Sequence, residues 1–258
     1  MTFIEEIIEA FDIKKGDVVF ISSDVLRMFC LGRELKCPVD LHYFIDILTD
    51  KVGSSGTLLF PTYNWDFCKG ITFDYNKTPS RTGSLGAYAL KHPGFKRTKH
   101  PIYSFAVWGK DKDYLCSLNN IHSFGVDSPF AYLKEKNALN ILLDVGFERC
   151  FTFAHYVEEQ SGCVKYRYQK MFHAKYIDES GITSDASYSM FVRDLELNVV
   201  NCITPLITIM EKKGIIQKKK IHSIIIYRLR LGDAYPVIED DIIHNKSRNI
   251  GTYIGQED

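Results

Sequence analysis

Runs of consecutive apolar residues alternate along this chain with segments in which apolar residues recur every three or four positions. Residues 18–21 and 58–60 are runs of the first kind, and residues 139–145 are apolar except for Asn140 and Asp144. Short runs without a polar alternation are typical of strands that are covered on both faces of a sheet. Strands that alternate with helices predict an α/β protein with a mixed central sheet flanked by helices.

The helical segments carry recognisable start signals. Thr2 and Glu5 form a capping-box pattern at the start of an amphipathic segment, and Asp40 precedes a second one that ends at the glycines and serines of residues 53–56. The remaining predicted elements are helices at residues 83–91, 151–159 and from Thr204, and strands at residues 102–108, 164–172 and 224–227. Residues 62–81 are predicted to form a long ordered loop, and Lys218–Lys220 a solvated loop.

Opposite charges balance in this sequence, with 32 Lys and Arg against 32 Asp and Glu. A general nucleic-acid binder would carry a basic excess, so no nucleic acid is expected as a partner. No apolar run approaches the length of a membrane span, so no membrane contact is expected either. The length predicts a single domain over residues 1–258, with residues 160–170 as the place where a subdivision would fall. A homodimer is among the assemblies that the sequence allows.

Seven cysteines lie far apart and form no C-x-x-C pair, which indicates reduced thiols. The first six residues carry acids where a signal peptide needs basic residues. We therefore expect a cytoplasmic protein.

Several motifs of known chemistry are absent. Residues 53–57 lack the lysine of a P-loop, no G-x-G-x-x-G follows a strand, and no G-x-S-x-G occurs. His155-x-x-Glu158-Glu159 resembles an inverted zinc helix but lacks its second histidine. The sequence therefore predicts no metal site.

The pair His155 and Glu158 is the best candidate for proton transfer. The two residues are three positions apart at the start of a predicted helix that follows a strand, so they share one helical face. Ligands of open α/β sheets bind at the carboxyl ends of strands, where His155 would lie. A carboxylate on one ring nitrogen fixes the tautomer and makes the other nitrogen more basic. On spacing alone, an exposed ion pair on a helix surface is the favoured interpretation.

Two further groups combine hydroxyls with cations, which are the usual means of holding phosphate. One contains Ser80 and Arg81, and the other, at residues 92–101, contains Thr98 and His100. A solvated basic loop is the simpler interpretation of such a run. Ser22 and Ser23 end the first predicted strand, where they would contact a ligand or cap a turn.

Taken in order, these segments resemble the aminoglycoside 3-N-acetyltransferase family, also called the antibiotic N-acetyltransferase family. The residues that carry the resemblance are Gly16-Asp17, Ser22-Ser23, Gly56-Thr57-Leu58, Pro61-Thr62, Thr78-Pro79-Ser80, Gly83-Ser84-Leu85, Pro93-Gly94, Arg97-Thr98, His100-Pro101, Tyr103-Ser104-Phe105, Gly109, Gly125-x-x-Ser128-Pro129, Leu142-Leu143-x-x-Gly146 and Thr152-x-x-His155-x-x-Glu158. The match covers about the first two thirds of the chain.

The resemblance implies an α/β fold with a cleft for coenzyme A and direct acyl transfer from an acyl-CoA thioester to the amine of an amino sugar. It implies that His155 is the general base and that Glu158 holds it. It also suggests that Ser22, Ser23, Ser80, Thr98 and His100 lie near the pantetheine and phosphates of the cofactor, with Arg81 beside them.

The chain departs from the family pattern at two positions. Ile21 stands where members often have a histidine, and Ala87 where an acid is common. Loss of an acid does not suit a polycationic aminoglycoside, whereas Tyr63, Trp65, Phe67 and residues 166–168 offer aromatic surface for stacking. These departures favour a nucleotide-linked (dTDP) amino-dideoxy sugar for surface polysaccharide as the acceptor, with an aminoglycoside as the alternative. A thioester hydrolase that uses Cys150, or a non-catalytic binding protein, would be rival functions of another class.

Overall fold

The computed structural model describes residues 2–253, and most of its strands belong to one seven-stranded sheet. The strands are β1 Val18–Ser23, β2 Thr57–Pro61, β3 Phe73–Asp74, β4 Lys96–Arg97, β5 Phe105–Gly109, β6 Leu139–Leu143, β7 Arg167–Ile177, β8 Thr183–Arg193, β9 Val199–Asn201, β10 Gln217–Ile221, β11 Ile224–Arg230 and β12 Gly251–Tyr253. The helices are α1 Phe3–Ala10, α2 Leu26–Glu34, α3 Leu41–Val52, α4 Ser84–Ala89, α5 Lys112–Ser117, α6 Pro129–Glu135, α7 Phe147–Cys150, α8 Phe153–Ser161, α9 Thr204–Lys212 and α10 Leu231–His244, with a 3₁₀ helix at Asp66–Lys69.

The main sheet is mixed, as predicted. Its order is β10-β11-β6-β1-β2-β5-β4, with β1 parallel to β2 and β6 and the other pairs antiparallel. A three-stranded sheet, β3-β7-β8, and the pair β9-β12 complete the described strands. Because β1 lies between two parallel neighbours, its carboxyl end is flanked by that of β6.

The sheet is covered on both faces, which explains the uninterrupted apolar runs. Val19 and Ile21 of β1 pack into a cluster with buried residues of α1, α2 and α3, while Phe20 between them packs into a second cluster with residues of α6, α8 and α10. Successive side chains of a strand point to opposite faces, so an apolar residue is needed at every position.

The predicted helix starts at Thr2 and Asp40 are confirmed. The Thr2 hydroxyl accepts from the Glu5 amide at 3.3 Å while the Glu5 carboxylate accepts from the Thr2 amide at 2.8 Å. Asp40 accepts from the amide of His42 at 2.8 Å. Each contact satisfies a backbone donor that the first turn leaves free.

Other elements differ from the predictions. Lys218–Lys220, predicted as a loop, lie in β10, whose lysines are exposed at the edge of the sheet. Charged residues are common on edge strands because they prevent further strand pairing. The sequence also did not predict α2, β8 or α10.

None of the helices between residues 2 and 253 combines the length and the apolar character that a membrane crossing requires.

Candidate active site

A cleft of about 670 Å³ opens at the carboxyl end of β1. Ser22 and Ser23 end this strand and line the cleft, and the first turns of α2, α4 and α8 supply other walls. Besides the aromatic residues Tyr63, Trp65 and Tyr103, the lining residues with side chains that could bind or react are Ser22, Ser23, Asp24, Arg81, Thr82, Ser84, Arg149, Cys150, Thr152 and His155. A smaller cavity of about 310 Å³ lies against β7 and β8 and contains neither histidine nor cysteine.

His155 reaches the cleft from the first turn of α8. Phe153, Ala154, Tyr156 and Val157 are buried and fix this helix against the core, while the His155 side chain is 25% exposed on the cleft side. Its Nδ1 lies 2.6 Å from Oε2 of Glu158. Within residues 2–253, Nε2 makes no hydrogen bond. This nitrogen is therefore the one available to a ligand.

Glu158 is fully buried beneath His155. Its Oε1 accepts from the Tyr166 hydroxyl at 2.7 Å, and Arg167 Nε lies 2.9 Å from Oε2 as an ion pair, although its N–H is not directed at that oxygen. Burial raises the pKa of Glu158, but the opposing effects of His155, Arg167 and Tyr166 are larger, so the pKa lies below its usual value. An ionised, fully buried carboxylate excludes the interpretation of this pair as an exposed ion pair.

Of the predicted cofactor residues, Ser22, Ser23 and Arg81 line the cleft. Ser22 is buried, and Arg81 forms an ion pair with Asp66 at 3.0 Å. The structure therefore brings these three residues to the same space as His155.

Ser80, Thr98 and His100 do not line this cleft. Ser80 contacts Thr82 Oγ1 at 3.3 Å. Thr98 and His100 are buried and accept hydrogen bonds from backbone amides, Thr98 from Phe105 at 2.9 Å and His100 Nδ1 from Ile102 at 3.2 Å. Contact of these three residues with the cofactor stays a prediction that the cleft does not support, and the turn between β4 and β5 uses Thr98 and His100 to satisfy its own backbone.

The basic run around these residues is not a solvated loop either. Arg97 is buried, and its guanidinium donates to Ser104 Oγ at 2.9 Å and to the Thr62 carbonyl at 3.1 Å. The guanidinium also lies 4.8 Å from the centre of the Phe73 ring. Arg97 thus links β4 to the loop after β2.

We expect His100 to make the protein acid-sensitive. Burial lowers the pKa of His100 to about 3 from an ordinary 6.5, so the folded state keeps it neutral while the unfolded state takes up a proton below pH 6.5. The contribution of neutral His100 to the free energy of unfolding is therefore fully present above pH 6.5. It is lost as the pH falls towards 3, by up to about 1.4 kcal/mol per pH unit. Urea unfolding between pH 7.5 and 4.5 measures this slope. A His100→Asn variant, which keeps an acceptor, should show a shallower slope, and equal slopes would contradict the assignment.

The aromatic residues proposed for stacking are mostly not available. Tyr63, Phe67 and Tyr166 are buried in the core, whereas Trp65 is 38% exposed and lines the cleft. Leu26 and Phe29 of α2 also line it, and Leu26 is 70% exposed. These two were missed because α2 itself was not predicted.

Cys150 also lines the cleft but is not an activated thiol. Burial raises the pKa of Cys150 to about 12, so the thiol stays protonated at neutral pH, and Sγ lies 3.3 Å from the Gly146 carbonyl. A nucleophilic cysteine requires the opposite shift. This geometry disfavours a hydrolase that uses Cys150.

Residues 33–240 match the model of a family described as aminoglycoside 3-N-acetyltransferase. The chain belongs to this family. The predicted family and α/β fold are thereby confirmed.

Individual relatives of this chain are distant in sequence, and the chain spans just under two thirds of the length of the curated relative that it matches. The SPbeta prophage-derived aminoglycoside N(3')-acetyltransferase-like protein YokD of Bacillus subtilis (strain 168) is 24% identical over 178 residues, which are 59% of this chain and 63% of that protein. Its crystal structure aligns with a TM-score of 0.74 at 23% identity, covering 96% of this chain and 94% of that one.

Two solved complexes share the fold of this chain. AAC-IIIb with CoASH aligns with a TM-score of 0.76 at 15% identity, over 99% of this chain and 97% of that one. AAC-VIa with sisomicin aligns with a TM-score of 0.74 at 15% identity, over 93% and 96%.

Proposed function

We propose that this protein transfers an acetyl group from acetyl-CoA to an amine of an aminoglycoside-type amino sugar, with His155 as the general base. The observation that carries the proposal is the His155–Glu158 pair at the cleft: a buried, ionised carboxylate holds Nδ1 and leaves Nε2 for the acceptor. The family match supports the reaction class.

The cleft residues fit a coenzyme A thioester. Ser22, Ser23 and Thr82 offer hydroxyls to the amides of a pantetheine arm, while Leu26 and Phe29 offer apolar surface along it. Bound acetyl-CoA would supply an activated acyl group. The exposure of Leu26 at the rim is consistent with a surface that a ligand covers.

His155 would act on the incoming amine. Its Nε2 takes the proton that the nitrogen loses as the C–N bond forms, and the same nitrogen returns a proton to the departing thiolate. Glu158 keeps Nδ1 protonated and stabilises the imidazolium formed between these two steps. Arg167 and Tyr166 hold the carboxylate in place, so that it positions His155 and does not itself take the proton.

An aminoglycoside is the acceptor that the comparisons favour over the nucleotide-linked sugar expected from the sequence. AAC-VIa, one of the proteins that share the fold, is solved with sisomicin. The cleft nevertheless supports a nucleotide-linked amino sugar as a second candidate. Its lining includes Arg81, Arg149 and the exposed indole of Trp65, against one carboxylate, Asp24. Two cations and an aromatic surface suit a diphosphate and a base.

Free-thiol release from acetyl-CoA tests both candidates. The purified protein is incubated with acetyl-CoA or hydroxybutyryl-CoA and with an aminoglycoside panel, a dTDP-linked amino sugar or no acceptor. We expect release with an aminoglycoside. Release only with the dTDP-linked sugar would show that this sugar, and not an aminoglycoside, is the acceptor. Release without any acceptor would make the protein a hydrolase.

A cytoplasmic location is part of the same proposal. All seven cysteines are unpaired in the structure, which suits a reducing compartment. The homodimer remains a prediction that light scattering would test.

A further inference from the structure

Tyr63 brings a buried, unpaired hydroxyl to the wall of the cleft. The residue lines the cleft but is only 3% exposed, and its hydroxyl has no hydrogen-bond partner among residues 2–253. Most buried hydroxyls in proteins are paired, and an unpaired one is unfavourable. An unpaired hydroxyl in a cleft wall is therefore expected to find its partner in a ligand.

The surrounding structure prevents Tyr63 from turning to another partner. Its ring packs edge-on against Tyr103 and Phe105, with centroids 4.8 Å and 5.4 Å away. Its amide donates to Thr82 Oγ1 at 3.1 Å and its carbonyl accepts from the Arg81 amide at 2.8 Å. Both the ring and the backbone are thus fixed from several sides.

The hydroxyl is held close to the proposed chemistry. The Thr152 hydroxyl lies near enough to oppose the rise in the pKa of Tyr63, but it does not meet the geometry of a hydrogen bond to the phenol, and Thr152 and Cys150 both line the cleft with His155. Burial raises the pKa of Tyr63 well above its usual value, so the phenol keeps its proton and can donate it to an acceptor. A fixed donor that pairs only with a ligand is what stabilisation of a developing negative charge requires.

We propose that the Tyr63 hydroxyl donates a hydrogen bond to the thioester oxygen when the amine adds. This inference rests on the proposed acetyl transfer. As the amine nitrogen bonds to the carbonyl carbon, the π electron pair of the C=O bond moves to the oxygen. The O–H of Tyr63 donates a hydrogen bond to this oxygen, and His155 Nε2 takes the amine proton. The C=O bond then re-forms, the C–S bond breaks, and the thiolate leaves with its electron pair and receives a proton from His155.

The Tyr63→Phe variant tests this role because it should lower kcat without lowering the thermal stability of the free protein. We expect kcat to fall about 10- to 10²-fold, with the KM values for both substrates little changed, because the hydrogen bond strengthens only as charge develops. The thermal midpoint of the free protein should stay the same or rise, since the variant removes an unpaired buried hydroxyl.

Tyr132→Phe is the matched control. Tyr132 is also buried, but it lies outside the cleft and its hydroxyl donates to Asp111 at 2.7 Å. This variant should lose thermal stability and keep kcat. The two tyrosine hydroxyls would thus differ in both readouts.

A third readout separates this inference from the proposed function. In infrared difference spectra, the carbonyl stretch of bound carbon-13-labelled acetyl-CoA should lie at lower frequency in the wild type than in Tyr63→Phe. Equal frequencies, or a raised acceptor KM with unchanged kcat, would overturn the role of Tyr63 even if acetyl transfer is established. No transfer to any acceptor, together with a carbonyl shift, would contradict the proposed function and leave the Tyr63 contact standing.

Discussion

The His155→Ala variant should turn over acetyl-CoA about 10²- to 10⁴-fold more slowly than the wild type at saturating acceptor. His155 is the only histidine in the lining of this cleft, and its Nδ1 is held by Glu158 at 2.6 Å while Nε2 is left for the amine. Without it, the attacking nitrogen must lose its proton to water. The measurement is thiol release with the acceptor identified by the substrate panel.

Folding should be little affected by this substitution. The side chain is partly exposed, and Glu158 keeps its contacts with Arg167 and Tyr166. His122→Ala is a suitable control, because His122 is exposed, bonds to Ser189 Oγ at 2.8 Å and lies outside the cleft lining. A His155→Ala variant that is folded and as active as the His122→Ala control would remove the proposed mechanism.

The parts of this protein that the sequence predicted depend on local patterns. The β1 strand was predictable because both faces of the sheet are covered, so every position in its centre is apolar. The His155–Glu158 contact was predictable because residues three apart on a helix are neighbours. Neither inference needs information about residues that lie far away in the sequence.

What the sequence did not predict depends on contacts between distant segments. Helix α2 has no side-chain cap at Val25, and the residue that accepts from its first amide is Asp24, at 3.0 Å. Because the helix was not predicted, Leu26 and Phe29 of the cleft were missed. Helix α10 contains Pro236, which argues against a helix, but its packing on α6 and α8 favours one.

The same limit applies to Thr98 and His100, which do not line the cleft. A run of hydroxyls and basic residues resembles a phosphate-binding loop, but these side chains bond to amides at residues 102–105. Whether a polar side chain is satisfied inside the protein or by a ligand is decided by the folded turn, and residue type does not reveal it.

Glu158 should be more important for folding than its spacing from His155 suggested. Arg167 is also buried, and Glu158 is the only carboxylate that pairs with it among residues 2–253. Removing one member of a buried ion pair leaves the other charge uncompensated, which typically costs about 3–5 kcal/mol. We therefore expect Glu158→Ala to lower the free energy of unfolding by about 3 kcal/mol and to lower kcat, because the tautomer of His155 is no longer fixed.

Glu159→Gln is the neighbouring control. Burial raises the pKa of Glu159 to about 7, so its ionised form is disfavoured and an uncharged amide should cost little or no stability. Urea unfolding of both variants at pH 7.5 compares them directly. A Glu158→Ala variant as stable as Glu159→Gln would mean that Arg167 does not depend on this carboxylate.

The pH dependence gives a second check on the charge of Glu158. Its pKa in the folded protein lies below the ordinary 4.5. A carboxylate of this kind stabilises the fold above the unfolded pKa, and the contribution is lost as pH falls through the folded pKa. The stability difference between wild type and Glu158→Ala should therefore be constant from neutral pH down to about 4.5 and shrink at more acid pH. A difference that grows on acidification would show that Glu158 is protonated in the folded protein, and it could not then hold His155 as a base.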